Sequence, residues 1–145
     1  MKIAIGSDHA GVDARRRMME VLRGLGHGVM DLGPAGTESV DYPDYAAAVA
    51  RAVAAGEADR GVLICGTGIG MSIAANKVRG VRAAAVSDEF AAEMSRRHND
   101  ANVLCLGARL STPEKMERMV RIFLEAAFEG GRHSGRVAKI GKLEA

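Results

Sequence analysis

The chain has no tryptophan, two tyrosines and three phenylalanines, an aromatic share of 3%. A surface that stacks the bases of single-stranded nucleic acid needs more than that. Charge of one sign is scarce too. Twenty basic against 18 acidic residues leave a formal net charge of +2, far from the basic stripe that binds phosphate backbones. No apolar run approaches the roughly 20 residues that a bilayer requires. The opening "MKIAIGSDHAG" offers only Ile3 to Ile5 before a charged turn, so it does not read as a secretion signal. There are two cysteines and no C-x-x-C pair, which favours a reducing cytoplasm over a disulfide scaffold. H-E-x-x-H is absent, and no carboxylate–histidine cluster with metal-ligand character is found. The expectation is a cytoplasmic protein without metal, nucleic-acid partner or membrane span.

What is present suits one domain over residues 1–145, with 48% hydrophobic and 26% charged residues around a single core. Short β-branched runs alternate with longer helical patterns, the signature of βαβ units. Strands are predicted near Lys2–Gly6, Gly28–Leu32, Gly61–Cys65, Val81–Val86 and Val103–Gly107. A first helix places Met18, Leu22 and Leu25 on one face, with Arg15, Arg16 and Arg17 largely elsewhere. Tyr45–Ala55 is alanine-rich and suits close packing on a sheet. Met116, Val120, Phe123 and Ala127 recur at helical spacing. Thr112 and Pro113 mark that helix's start, and Gly130–Gly131 its predicted end. Strands without polar alternation imply a parallel sheet covered on both faces. The fold class is therefore α/β, a three-layer α/β/α sandwich with a Rossmann-like parallel sheet of about five strands.

Ligands of such folds gather outside the carboxyl ends of the strands. "CGTGIG", residues 65–70, occupies one of those turns. Its glycines admit positive φ and let backbone amides approach a ligand closely. It is not a dinucleotide fingerprint, because Met71 stands where the third glycine belongs, and it is not a Walker A loop. It is not a cysteine-phosphatase loop either, since the closing arginine is missing. A bland reading, a turn that merely packs a helix on a sheet, stands beside that of an anion nest next to a thiol. A helix N-terminus favours thiolate over thiol, which makes Cys65 a candidate base. Cys105, within "VLCLG", reads as packing.

Other polar groups each have a structural alternative. Asp8 in "GSDHAG" suits a helix cap as well as a ligand contact, and His9 follows it. His98 and Asn99 close a helix, where a histidine can serve the dipole or act as an acid or base. Arg132, His133 and Arg136 form either a solvated basic tail or, with Arg109, a phosphate site. Together these groups suit proton abstraction beside a carbonyl of a small phosphorylated substrate, the nest holding an enediolate oxygen. A phosphate- or nucleotide-binding module without chemistry draws on the same residues. A thiol redox protein is disfavoured by the lack of a partner cysteine near Cys65.

"GSDHAG", "DYPDYA", "ICGTGIGMSIAANK", "SRRHNDANVL" and "EGGRHSGRV" closely resemble ribose-5-phosphate isomerase type B, of the family that includes galactose- and allose-6-phosphate isomerases. The resemblance spans nearly the whole chain. It implies interconversion of ribose 5-phosphate and ribulose 5-phosphate in the pentose phosphate pathway, through a cis-enediol and without metal or organic cofactor. By the same resemblance, Cys65 is the base. Thr67 and the amides of Gly66, Gly68, Ile69 and Gly70 hold the enediolate. His98 assists ring opening, Asp8 and Asn99 contact sugar hydroxyls, and Tyr42 lines the pocket. His9, Arg132 and Arg136, with Arg109, hold the phosphate. Family sites draw on two subunits, which implies a homodimer or tetramer. Another branch places a glutamate base where this chain has Met71, so here the task falls on Cys65. A six-carbon sugar phosphate, such as allose 6-phosphate, is the alternative substrate.

Overall fold

The β-branched runs become five strands in a computed structural model that describes residues 1–144. They are β1 (Lys2–Ser7), β2 (Gly28–Asp31), β3 (Arg60–Cys65), β4 (Ala83–Ala85) and β5 (Val103–Gly107). All pair in parallel, in the order β2-β1-β3-β5-β4. The register sets Ile5 against Val62, Leu63 against Cys105, and Cys65 against Gly107.

Among the described residues, five helices cover the two faces, α1 (Val12–Gly24), α2 (Tyr42–Ala54), α3 (Ile69–Ala75), α4 (Glu89–Arg97) and α5 (Pro113–Glu125), and α6 (Arg132–Gly141) follows them with only His133 buried. Alternation along each strand sorts the side chains between two cores. Ile3, Ile5, Val62, Ile64, Leu104 and Leu106 pack with Met18 and Leu22 of α1, Ala92 of α4, and Met116, Val120 and Phe123 of α5. Ala4, Leu63, Cys65, Val103 and Cys105 face Val49 and Ala50 of α2 and Met71 and Ala75 of α3. Each fully buried Ile or Leu contributes about 1.5–3 kcal/mol. The alanines of α2 keep that helix close to the sheet, as their small volume predicts.

Four details depart from the sequence expectation. The strand predicted over Val81–Val86 shrinks to Ala83–Ala85, although Val81 and Val86 stay buried at its ends. The alanine-rich helix begins at Tyr42, three residues early, because Pro43 suits its first turn. Arg15, placed largely off the apolar face of the first helix, is nonetheless buried, at 2% exposed. Its guanidinium donates to Ser7 Oγ at 2.8 Å and to the Pro34 carbonyl, and lies 3.3 Å from Asp31. Finally, α5 stops at Glu125, leaving Ala127 outside it. Gly130 and Gly131, with φ of +69° and +56°, lead into α6 instead of closing α5. The segment predicted as a basic tail is thus helical over Arg132–Gly141, with His133 its buried residue.

Candidate active site

Sheet topology decides where chemistry can gather. The chain leaves β1 toward β2 on one side and returns to β3 on the other, so the strand order reverses between β1 and β3. A crevice opens at the carboxyl ends of such a pair, and here the pair ends in Ser7 and Cys65. Asp8 follows β1 and caps a single 3-10 turn, its carboxylate accepting from the amides of Ala10 at 2.9 Å and Gly11 at 3.1 Å. Its own amide donates to the Ile64 carbonyl at 3.2 Å, which pins the turn to β3.

Cys65 is 5% exposed, and its Sγ accepts from the Gly68 amide at 3.1 Å. Gly68 leaves that turn at φ +80°, a conformation glycine adopts without steric cost. Thr67 stands exposed at the tip, its hydroxyl accepting from the Ile69 amide at 3.3 Å. Tyr42, from the start of α2, lies against Gly70, where an added Cβ would fall 2.5 Å from the ring. Arg109 folds over Gly66: its amide donates to the Gly66 carbonyl at 3.0 Å, and its guanidinium covers the glycine. His9 Nδ1 accepts from the Val40 amide at 3.2 Å. That bond leaves its Nε2–H free to donate to an incoming anion. The loop carrying Val40 is held from beneath by Arg15 and, through the Ala35 carbonyl, by Arg16.

The second thiol is built differently. Cys105 is fully buried in β5, and burial pushes its thiol far above the ordinary range. It remains a neutral packing group.

The other predicted residues stand at the opposite edge of the sheet. A helix that follows a strand's carboxyl end returns toward the amino ends, and α4 delivers His98 and Asn99 just before β5 begins at Val103. Four residues of β5, roughly 13 Å at about 3.3 Å each, separate Val103 from Gly107, the partner of Cys65. The return of α5 brings Arg132 and Arg136 of α6 to the His98 edge as well. Among the described residues, Arg109, Arg132 and Arg136 have no carboxylate partner in an ion pair. Asp8, His9, Cys65, Gly66, Thr67, Gly68, Ile69, Gly70, Tyr42 and Arg109 therefore gather at one edge, and His98, Asn99, Arg132 and Arg136 do not join them within a chain.

Sequence spacing also missed a cluster at that second edge, where no carboxylate–histidine cluster with metal-ligand character was expected. His98, Glu129 and His133 present donor atoms within 4.8 Å of one another. Arg97 already pairs with Glu129 at 2.7 Å, and Arg132 and Arg136 add positive charge alongside. Such surroundings suit an anion better than a metal cation. His133 sits low in its titration range because burial, His98 and Arg132 all oppose its protonation.

The sequence matches the Ribose/Galactose Isomerase family over residues 3–140. The chain belongs to that family. It is 48% identical over 143 residues to "Ribose-5-phosphate isomerase B" of Escherichia coli, covering 99% of this chain and 96% of the relative. It is 42% identical to "D-erythrulose-4-phosphate isomerase" of Pectobacterium atrosepticum, covering 99% and 95%. The solved structure of Clostridium thermocellum ribose-5-phosphate isomerase B superposes with a TM-score of 0.98 at 53% identity, covering 99% of this chain and 97% of that one. The five-stranded parallel sheet is thus the fold of the family. Among the described residues, no helix is long and apolar enough to cross a membrane.

Proposed function

We propose that this member of the family interconverts ribose 5-phosphate and ribulose 5-phosphate, with Cys65 as the base. The observation that carries the reading is Sγ of Cys65 at the carboxyl end of β3, beside the strand reversal and held by the Gly68 amide. Membership in the isomerase family supports it.

The reaction begins with the furanose. The bond from C1 to the ring oxygen breaks, the O1 proton leaves, and a proton reaches the ring oxygen, with His98 as the transfer group. In the open aldehyde, the Cys65 thiolate takes the C2 proton. The C2–H electron pair becomes the C1=C2 bond, and O1 carries the enediolate charge. Thr67 and the amides of residues 66–70 face that charge, where fixed donors act most strongly on developing anions. The thiol returns the proton to C1 while the O2 proton passes to O1, so that O2 becomes the carbonyl oxygen and O1 the hydroxyl of the ketose. Asp8 and Asn99 contact hydroxyls, and His9, Arg109, Arg132 and Arg136 hold the phosphate. No step calls for a metal or organic cofactor, and the interconversion is that of the pentose phosphate pathway.

The same reading makes the working unit an oligomer, dimer or tetramer. One edge of a chain supplies the base and nest, and the opposite edge of a second copy supplies His98, Asn99, Arg132 and Arg136. Tyr42, Ile69 and Ile73, 41%, 55% and 59% exposed beside the nest, are apolar surface such a copy would cover.

The experiment is solvent-deuterium exchange with Cys65→Ala. The variant is expected to lose turnover and exchange while binding sugar phosphate within about threefold, as a pure general-base loss requires. Near-normal exchange would reject the thiol base. The named erythrulose 4-phosphate and galactose relatives make chain length a substrate question of its own. Comparing kcat/KM for four-, five- and six-carbon aldose phosphates answers it, with the five-carbon substrate expected to lead.

A further inference from the structure

The pair His98–His133 and the carboxylate between them are not explained by fold stability alone. The two imidazoles stack with centroids 4.2 Å apart and planes 12° from parallel. Glu129 turns one oxygen to each ring: Oε1 lies 3.8 Å from His98 Nε2, and Oε2 lies 3.7 Å from His133 Nε2. The carboxylate is fixed by the residue preceding His98. Its amide donates to the Arg97 carbonyl at 3.0 Å, and its Oε1 pairs with the Arg97 guanidinium at 2.7 Å. This seat requires α5 to end early and the chain to double back through Gly130 and Gly131.

We propose that Glu129 and His133 are positioning residues for His98, fixing its ring and balancing its charge while it moves the proton of ring opening. The inference rests on the assignment of His98 to that step. His98 caps the end of α4 and its side chain is 38% exposed, so its own helix leaves the ring free to turn. His133 is 7% exposed and supplies a flat, buried wall. A second cation stacked on His98 would oppose its protonation. Burial, His98, Arg132 and Arg136 oppose protonation of His133, and Glu129 partly offsets them. Glu129, facing both rings, offsets the charge that His98 acquires. The charged or titratable groups around the ring are thus Arg97 from α4, Glu129 from the α5–α6 connection, and His133, Arg132 and Arg136 from α6.

The test exploits a difference between the two substrates. Ribose 5-phosphate closes to a furanose, whereas ribulose 5-phosphate has its 5-oxygen phosphorylated and cannot. Deuterium exchange at C1 of ribulose 5-phosphate therefore bypasses ring opening. Glu129→Gln and His133→Phe are expected to lower kcat for ribose 5-phosphate about tenfold, part of what a positioned acid–base group supplies. Exchange into ribulose 5-phosphate should stay within about twofold, and Glu129→Asp should recover most of the lost kcat. His98→Asn is run alongside. If His98→Asn shows the split and Glu129→Gln does not, the positioning role is overturned and the ring-opening role stands. If His98→Asn lowers both reactions equally, the ring-opening role fails and the inference fails with it. Equal losses of both reactions in Glu129→Gln would also overturn it.

Discussion

The amide of Gly68 donates to Sγ of Cys65 at 3.1 Å, and Gly68 itself stands in the left-handed region at φ +80°. Gly68→Ala places a Cβ in the left-handed region, 3.0 Å from the backbone carbon of Leu106. The expected cost is about 1–2 kcal/mol of stability from the conformation alone, read by urea unfolding. Turnover should fall further than stability, because relieving the strain rotates the amide off the sulfur. A variant with normal kcat and lower stability would show that the amide has no part in the chemistry.

Tyr42 and Gly70 form a second such pair. A methyl at position 70 would stand 2.5 Å from the tyrosine ring, so one of the two must move. Gly70→Ala should reduce turnover by displacing the ring or the loop. In the double variant with Tyr42→Ala the clash is gone, and the two effects should fall short of additivity by about 0.5–3 kcal/mol, the range for residues in contact. Additive losses in kcat/KM would mean that the two positions act separately.

The two thiols give an experiment without mutation. Cys105 is fully buried, with its thiol pushed far up, while Cys65 keeps 5% of its surface exposed beside the glycine turn. Iodoacetamide at neutral pH is expected to label one cysteine per chain and abolish turnover, since the thiolate is the reacting form. Peptide mapping should place the label on Cys65, and inorganic phosphate or substrate should slow the labelling. Labelling at Cys105 first would contradict the burial seen here.

The parallel sheet and the Cys65 edge were legible because they rest on local signals. β-branched runs mark β1, β3 and β5, and alternating glycines mark the loop. Features built from distant residues were not. The burial of Arg15 was not legible because its partners Ser7, Asp31 and Pro34 belong to other elements. The His98 cluster depends on a helix end, a connection and a following helix whose relative placement no spacing encodes. The early end of α5 was hidden because Ala127 continues the apolar period, while the bond from Glu129 to Arg97 that bends the chain is tertiary. That His98 and Cys65 occupy opposite edges follows from strand direction, but only once the sheet is known to be parallel.

Arg15 leads to a prediction about the loop that His9 and Tyr42 flank. Arg15→Met keeps the volume but removes donors to Ser7 and Pro34 and the charge facing Asp31. Asp31 is 39% exposed and can recover solvent, so the loss should be about 2–3 kcal/mol, below that of a fully buried pair. KM for the sugar phosphate should rise, because the Val40 amide that sets the His9 tautomer rides on the same loop. A stability loss with unchanged KM would separate the loop from phosphate binding.

The proposal that the site is divided between opposite edges of two copies makes a prediction about mixtures. Cys65→Ala disables one edge, and Arg132→Ala/Arg136→Ala disables the other. Each homo-oligomer is expected to be inactive at low substrate. When the two are unfolded together and refolded at equal concentration, half of the dimers formed at random contain one copy of each. In such a dimer one site collects both defects and the other collects neither. Activity should therefore return to roughly a quarter of the wild-type level, the arithmetic of a two-fold symmetric shared site. Were both edges to serve a site within one chain, every site would carry a defect and the mixture would stay inactive. The assay thus reads directly whether Cys65 of one copy works with Arg132 and Arg136 of another.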